Sequence, residues 1–362
     1  MRRAIVLLLL VTAGSARAKD DTYELFLPSN YDAKKTWPIV YALDARGDAK
    51  APLQALQPAA DELGFIIASS YKSASDETNS PNVTAMREMW NATHAKLSID
   101  DKRVYIAGFS GTVRAAVLLA LKAPGTISAI IGAGAGFPPD HPPDASMKFA
   151  FFGTIGTRDF NFSEMQELEK NLTAAGIEHR IEEFDGTHDW MPPPLGREAL
   201  AWLTIQEMRN GTRPRDAALI DKLWQEDLAR VDTLTILPRW RLLQQLTHDY
   251  EGLHETAALS SKMVDAKEYR NAQKKLDREL ADEAEAIANA QRIVAASKTS
   301  ADAIRALHID ALKKRTDNSA KRILNTLLAQ TGFYLPREMH ERGDLAREAY
   351  FREIAEAIKA PR

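Results

Sequence analysis

Residues 103–113 read Arg-Val-Tyr-Ile-Ala-Gly-Phe-Ser-Gly-Thr-Val. The run Val104–Ala107 is apolar and β-branched or aromatic, as a buried strand requires. Val113–Leu121 beyond it is helix-like, and between them stands Gly108-Phe109-Ser110-Gly111-Thr112. A serine between small residues at a strand-to-helix turn has the form of a nucleophile elbow. The turn is tight, so its flanking positions must be small, and the hydroxyl then stands clear of the sheet. Gly111 opens the helix, where its N–H can bind an oxyanion. The usual pattern closes with a second glycine, and Thr112 takes that place, so crowding is expected there. The competing reading is an ordinary helix-capping serine.

Working outward, the same alternation repeats. Strands are expected at Thr22–Leu27, Ile39–Leu43, Phe65–Ser69, Arg103–Gly108, Ala129–Gly132, Lys148–Phe152 and His179–Phe184. Helical stretches fall near Pro52–Leu63, Val83–Leu97, Gly111–Lys122, Phe162–Ala175 and Leu195–Arg209. Short apolar strands separated by helices imply an α/β fold with a mostly parallel sheet covered on both faces. Chemistry in such folds gathers at the carboxyl ends of the strands.

Two other strand ends carry suitable side chains. After Lys148–Phe152 come Gly153-Thr154-Ile155-Gly156-Thr157-Arg158-Asp159, and Asp159 is the candidate acid; a purely local helix-start role is the alternative. After Arg180–Phe184 come Asp185-Gly186-Thr187-His188-Asp189-Trp190, and His188 is the candidate base. His141, in a proline-rich loop, is its rival. Serine is a poor nucleophile until an imidazole takes its proton, and a carboxylate fixes that imidazole. The order Ser110, Asp159, His188 is the chain order of α/β-hydrolases.

The segment Tyr23–Asp44, the Asp101-Lys102-Arg103-Val104-Tyr105 lead into the elbow, and the Gly186-Thr187-His188-Asp189-Trp190 tail resemble secreted serine esterases. The nearest group contains polyhydroxybutyrate depolymerases and feruloyl or acetyl xylan esterases. The resemblance spans roughly residues 22–208. It implies hydrolysis of a small-molecule or polymeric ester through an acyl-serine, without a cofactor or metal, using Ser110, Asp159 and His188. Where the family carries His-Gly after the third strand, this chain has Asp44-Ala45-Arg46-Gly47. The Arg46 N–H is the expected second oxyanion donor beside Gly111. The Asp44 carboxylate either opposes the oxyanion or pairs with Arg46.

The rest of the chain differs. Of 18 glycines in the 362 residues, 15 lie in residues 1–214, as do 14 of 17 prolines. Asn210-Gly211-Thr212-Arg213-Pro214 reads as a linker, dividing a hydrolase domain at 22–210 from a helical domain at 215–362. Lys267–Ser297 carries Leu276, Leu280, Ala284, Ile287 and Val294 at helical spacing, and two or three long antiparallel helices are expected. The last segment, with Ala320–Gln330, then Gly343-Asp344-Leu345, Ala349, Ala355 and Pro361, resembles one tetratricopeptide repeat; a plain helical hairpin packed on the hydrolase domain and roofing its site is the alternative.

Residues 1–18 combine Met1-Arg2-Arg3, an apolar run Ala4–Val11 and Ala16-Arg17-Ala18, a signal-peptide pattern. The run is about half of what spans a bilayer, so a secreted or periplasmic protein without a membrane anchor is expected. Cleavage would take the formal charge from −3 to −6. With 47 basic against 50 acidic residues, nothing suggests nucleic-acid binding. With no cysteine, disulfides and thiol chemistry are excluded. A second function class stays open: a catalytically degenerate scaffold whose residues 215–362 bind a protein or cell-envelope partner.

Overall fold

The computed structural model describes residues 22–75 and 80–360; the expected signal peptide lies outside them. Among the described residues, seven strands form one sheet: β1 (Tyr23–Phe26), β2 (Trp37–Leu43), β3 (Ile66–Ser70), β4 (Ile99–Phe109), β5 (Ala129–Ala133), β6 (Ala150–Gly156) and β7 (His179–Phe184), in the order β1-β3-β2-β4-β5-β6-β7. β1 runs antiparallel to β3, and every other pairing is parallel. The strand period of two sorts side chains onto opposite faces. Ile39, Tyr41 and Leu43 of β2 enter one core, and Val40 and Ala42 enter the other. The first core is closed by α2 (Ser80–Lys96), α3 (Gly111–Lys122) and α4 (Phe162–Ala175). The second is closed by α1 (Lys50–Leu63) and α5 (Pro193–Arg209).

All seven expected strands are present, with one instructive shift. β6 runs through Gly153-Thr154-Ile155-Gly156, a stretch read above as loop. A side chain at Gly153 would stand 2.5 Å from Ile181 Cδ1 and 2.8 Å from Met165 Cε. The glycine there answers close packing within the sheet, not a turn. Asp159 therefore follows the end of its strand by three residues.

The C-terminal part is helical: α6 (Ala217–Val231), α7 (Ile236–Asp249), a 3₁₀ turn Ala257–Lys262, α8 (Ala266–Ala296), α9 (Ser300–Ala306), α10 (Ile309–Lys314), α11 (Asn318–Ala329), a π-helical turn Gln330–Tyr334, α12 (Leu335–Glu341) and α13 (Leu345–Lys359). Only α8 is long, so the expectation of several long helices is corrected. The chain is cut at polar N-caps as well as at Gly252 and Gly343, both at positive φ: Asp216, Asp265, Thr299, Asp317 and Asp344 each accept a hydrogen bond from the first turn of the following helix. The tetratricopeptide-like segment is a single hairpin, α11–α12 against α13, turning at Gly343 with φ +74°. The stripe on α8 is also refined. Leu276 and Leu280 pack on the sheet core, and Ile287, Ala290 and Val294 on a separate helical core. The position between them is the buried Glu283, while Ala284 is exposed.

The apolar clusters do not part at residues 210–215. Ile205 and Met208 of α5 share one cluster with Ile220, Leu223, Trp224, Leu242 and Leu246 of α6 and α7. A buried ion pair adds to that seam. Arg180 of β7 donates to Asp249 at 2.8 Å, and Asp249 also accepts from Trp202 Nε1 and Gln206 Nε2. Burial pushes the Asp249 carboxyl up, against the pull of Arg180.

Candidate active site

β4 ends at Phe109, and the next residue, Ser110, adopts φ 56° and ψ −130°. Positive φ is costly for a residue with a Cβ, by about 1–3 kcal/mol, and persists only where the surroundings impose it. The surroundings here are tight. A Cβ at Gly108 would lie 2.8 Å from the Val113 nitrogen and 2.9 Å from the Thr112 carbonyl oxygen. The position that must be small is therefore Gly108. Thr112 does not crowd the elbow as expected; it fastens it. Its wholly buried Oγ1 accepts from the Phe109 N–H at 2.9 Å and lies 2.5 Å from the Leu43 carbonyl, which joins the elbow to the end of β2.

Ser110 Oγ stands 2.9 Å from His188 Nε2, and His188 Nδ1 stands 2.9 Å from both oxygens of Asp159. Asp159 is fully buried. Its Oδ1 also accepts from the Asn161 N–H at 2.8 Å, so the local role at the start of α4 and the contact with histidine coexist. The His188 ring lies between Phe109 and Phe160, at centroid distances of 4.8 and 4.2 Å. The loops bearing acid and histidine are laced by backbone bonds: Thr157 N–H to the Phe184 carbonyl and Arg158 N–H to the Gly186 carbonyl, each 2.9 Å. Gly156 permits that approach, since a Cβ there would meet the Thr187 carbonyl at 2.5 Å. The rival His141 lies elsewhere, beside Asp140 on an exposed loop.

A seven-stranded, mostly parallel sheet presents its serine after β4 on a strained turn, its acid after β6 and its histidine after β7. The fold is that of the α/β-hydrolases. No family model matches this chain, and no curated protein does either. Among solved structures, it is similar to an S-formylglutathione hydrolase from Staphylococcus aureus (15% identity, TM-score 0.40, covering 47% of this chain and 82% of that one). It is also similar to an S-formylglutathione hydrolase from Agrobacterium tumefaciens (14%, TM-score 0.40, 50% and 88%). A third is the feruloyl esterase module from Clostridium thermocellum (11%, TM-score 0.40, 50% and 81%).

The loop after β2 of this α/β-hydrolase fold departs from the expected oxyanion geometry. The Arg46 N–H donates to Asp44 Oδ1 at 2.7 Å, so the expected second donor is already committed. Asp44 is wholly buried and pairs with Arg46, the second of the two outcomes expected for it. Its Oδ1 also accepts from the Asp48 N–H, and its Oδ2 from Trp190 Nε1 at 2.7 Å. The Arg46 guanidinium bridges Asp44, at 3.5 Å, and Asp189, at 3.1 Å. Burial would lower the Arg46 pKa, but the Asp44 and Asp189 charges outweigh it and the net shift is upward. Asp44 thereby ties the β2 loop to the two residues that follow His188. Trp190 was within reach of sequence reasoning, two positions past the histidine, but nothing in the sequence pairs it with Asp44.

The cleft over Ser110 and His188 has a volume of about 520 Å³. Its floor includes Ala45, Phe109 and Phe160, and its roof comes from the helical part: Asn325, Leu328 and Ala329 of α11 and Gly332, Phe333 and Tyr334 of the π-turn. Phe333 and Tyr334 are 48% and 43% exposed, apolar surface at the mouth of the cleft. A larger cleft of about 780 Å³ between α4 and α7 lies away from the serine. Its charged walls pair with each other or with neighbours, His248 with Glu178 at 2.7 Å and Arg241 with Glu183 at 3.1 Å. Among the described residues, no helix is long and apolar enough to cross a membrane.

Proposed function

We propose that this chain is an exported serine hydrolase that cleaves a carboxylic ester through an acyl-serine intermediate. The observation that carries the reading is the unbroken chain of 2.9 Å contacts from Ser110 Oγ through His188 to the buried Asp159. In this reading His188 Nε2 takes the Ser110 proton as Oγ bonds to the ester carbonyl carbon. Asp159 holds the Nδ1–H tautomer and stabilises the imidazolium. The imidazolium then gives that proton to the alkoxide leaving group as the carbon–oxygen bond breaks. Water repeats the sequence: His188 takes its proton, the new bond forms on the acyl carbon, and Ser110 recovers its proton as the acid departs. The Gly111 N–H, at the positive end of α3, is assigned to the oxyanion. Arg46 is not assigned a part, because its N–H already serves Asp44. The signal-peptide pattern of residues 1–18 supports export.

Ser110→Ala and His188→Ala should each lower p-nitrophenyl acetate turnover by at least about a thousandfold and abolish labelling by a fluorophosphonate probe. Unchanged turnover in Ser110→Ala would sink the proposal. The scaffold alternative draws on the committed Arg46 N–H, since loss of one oxyanion donor costs about 3–4 kcal/mol of transition-state stabilisation. A wild-type protein that ignores the probe and captures a cell-envelope partner through residues 215–362 would favour it.

A further inference from the structure

Two side chains of α11 reach the loop that carries Asp159. Arg322 Nη1 donates to the Thr157 carbonyl at 2.9 Å, and Asn325 Nδ2 donates to the Arg158 carbonyl at 2.7 Å. These are the two residues immediately before Asp159. Their N–H groups already face the histidine loop. The peptide group between Thr157 and Arg158 is thus held from two sides, its N–H by the Gly186 carbonyl and its carbonyl by Arg322, and the Arg158 carbonyl beyond it is held by Asn325.

Arg322 is itself fixed. It is 4% exposed. Its Nε lies 2.9 Å from Glu283 and its Nη2 2.6 Å from Glu279, both on α8. Its guanidinium also sits 4.5 Å over the Phe162 ring, at the start of the helix that follows the acid loop. A planar guanidinium with five donors can serve two carboxylates and a carbonyl at once, which an ammonium cannot do in that geometry.

We infer that Arg322 and Asn325 are positioning residues for Asp159, so that the C-terminal helices complete the active site. The inference rests on the serine-hydrolase reading. A carboxylate orients an imidazole only if its loop is held to within a fraction of an ångström, and a displacement near 1 Å costs up to about a hundredfold in rate. One further turn along α11 lie Leu328 and Ala329, which roof the cleft. The clamp on the acid and the roof over the serine therefore share one helix.

The test uses the full-length chain with p-nitrophenyl acetate and the fluorophosphonate probe. Asn325→Ala removes one donor and leaves the Arg322 ion cluster whole. Arg322→Lys keeps the charge facing Glu283 and loses the fork that reaches Thr157. Each should lower kcat by about tenfold, with KM nearly unchanged and the thermal midpoint of Asn325→Ala near wild type. Asn325→Gln, which keeps the amide donor, should recover part of that loss. Wild-type kcat in both single variants, beside an inactive Ser110→Ala, would overturn the clamp and leave the hydrolase reading standing. So would a loss of kcat matched by an equal loss of folded protein. An active Ser110→Ala would remove the hydrolase reading and the clamp with it.

Discussion

Thr112 replaces the glycine that usually closes a nucleophile elbow, and the structure makes it a fastener whose worth can be worked out. Its hydroxyl oxygen accepts from the buried Phe109 N–H and lies within bonding distance of the Leu43 carbonyl. Thr112→Val keeps the shape and removes both contacts. An unsatisfied buried N–H costs about 1–3 kcal/mol, and loss of the bond to the strand carbonyl adds about 1 kcal/mol, so destabilisation of about 2–4 kcal/mol is expected. Thr112→Ser keeps the hydroxyl and loses one methyl, about 1 kcal/mol. Valine is the more hydrophobic substitution, so a purely apolar account of this buried site orders the two variants the other way. Urea unfolding followed by tryptophan fluorescence should place Thr112→Val about 1–3 kcal/mol below Thr112→Ser at constant m. Because Phe109 directly precedes Ser110, kcat should fall in the valine variant and not in the serine variant. A valine variant as stable as the serine variant would refute the reasoning.

Other expectations follow from the same geometry. Gly134 has φ +69°, and a Cβ there would sit 3.1 Å from His188 Nδ1 and 3.3 Å from Asp159 Oδ2; Gly134→Ala should lower kcat by about 10–100-fold while every proposed catalytic atom is retained, as steady-state kinetics would show. Asp249→Ala removes the 2.8 Å partner of the buried Arg180, which keeps Asp227 at 3.3 Å, and leaves Trp202 Nε1 and Gln206 without their acceptor; it should cost about 2–3 kcal/mol in denaturant unfolding. Glu62 is held down to a pKa of about 2, chiefly by its hydrogen bond with Arg197 and then by Lys222. Its folded pKa lies below its unfolded one, so the stabilisation is present above about pH 4.5 and lost as pH falls toward 2. The stability gap between wild type and Glu62→Gln should close over that window and shrink in high salt, and a gap that stays constant with pH would count against the pairing.

Much of the sheet and the three candidate catalytic positions were legible because both depend on short-range patterns. A buried parallel strand announces itself as an apolar run, and a strand-end loop with serine, aspartate or histidine stands out against such runs. The misreadings came where one residue type serves two physical ends. Glycine commonly ends a strand, which places Gly153 at the end of one, yet it sits within β6 because Ile181 and Met165 leave no room for a Cβ. Scarce Gly and Pro in the helical part imply fewer, longer helices, while most of the breaks fall at capping Asp and Thr, with Gly252 and Gly343 making two others.

By itself the sequence determined the α/β layout, the serine at a strand-to-helix turn, and the chain order Ser110, Asp159, His188. Periodicity and local turn chemistry act over a few residues and are written directly in the chain. The tertiary structure alone decided what closes the site. Asp44 meets Trp190 across 146 positions of sequence, and Asn325 meets Arg158 across 167. No local rule couples such positions: whether a carboxylate spoils an oxyanion hole or fastens two loops depends on which donors packing brings within 3 Å of it. The same holds for the helical part. Its place as roof and clamp follows from the burial of apolar faces: α8 packs on the sheet core through Leu276 and Leu280, and Ile323, Leu324 and Leu327 of α11 pack with Ala290 and Val294 of α8, which carries Arg322 and Asn325 to the acid loop.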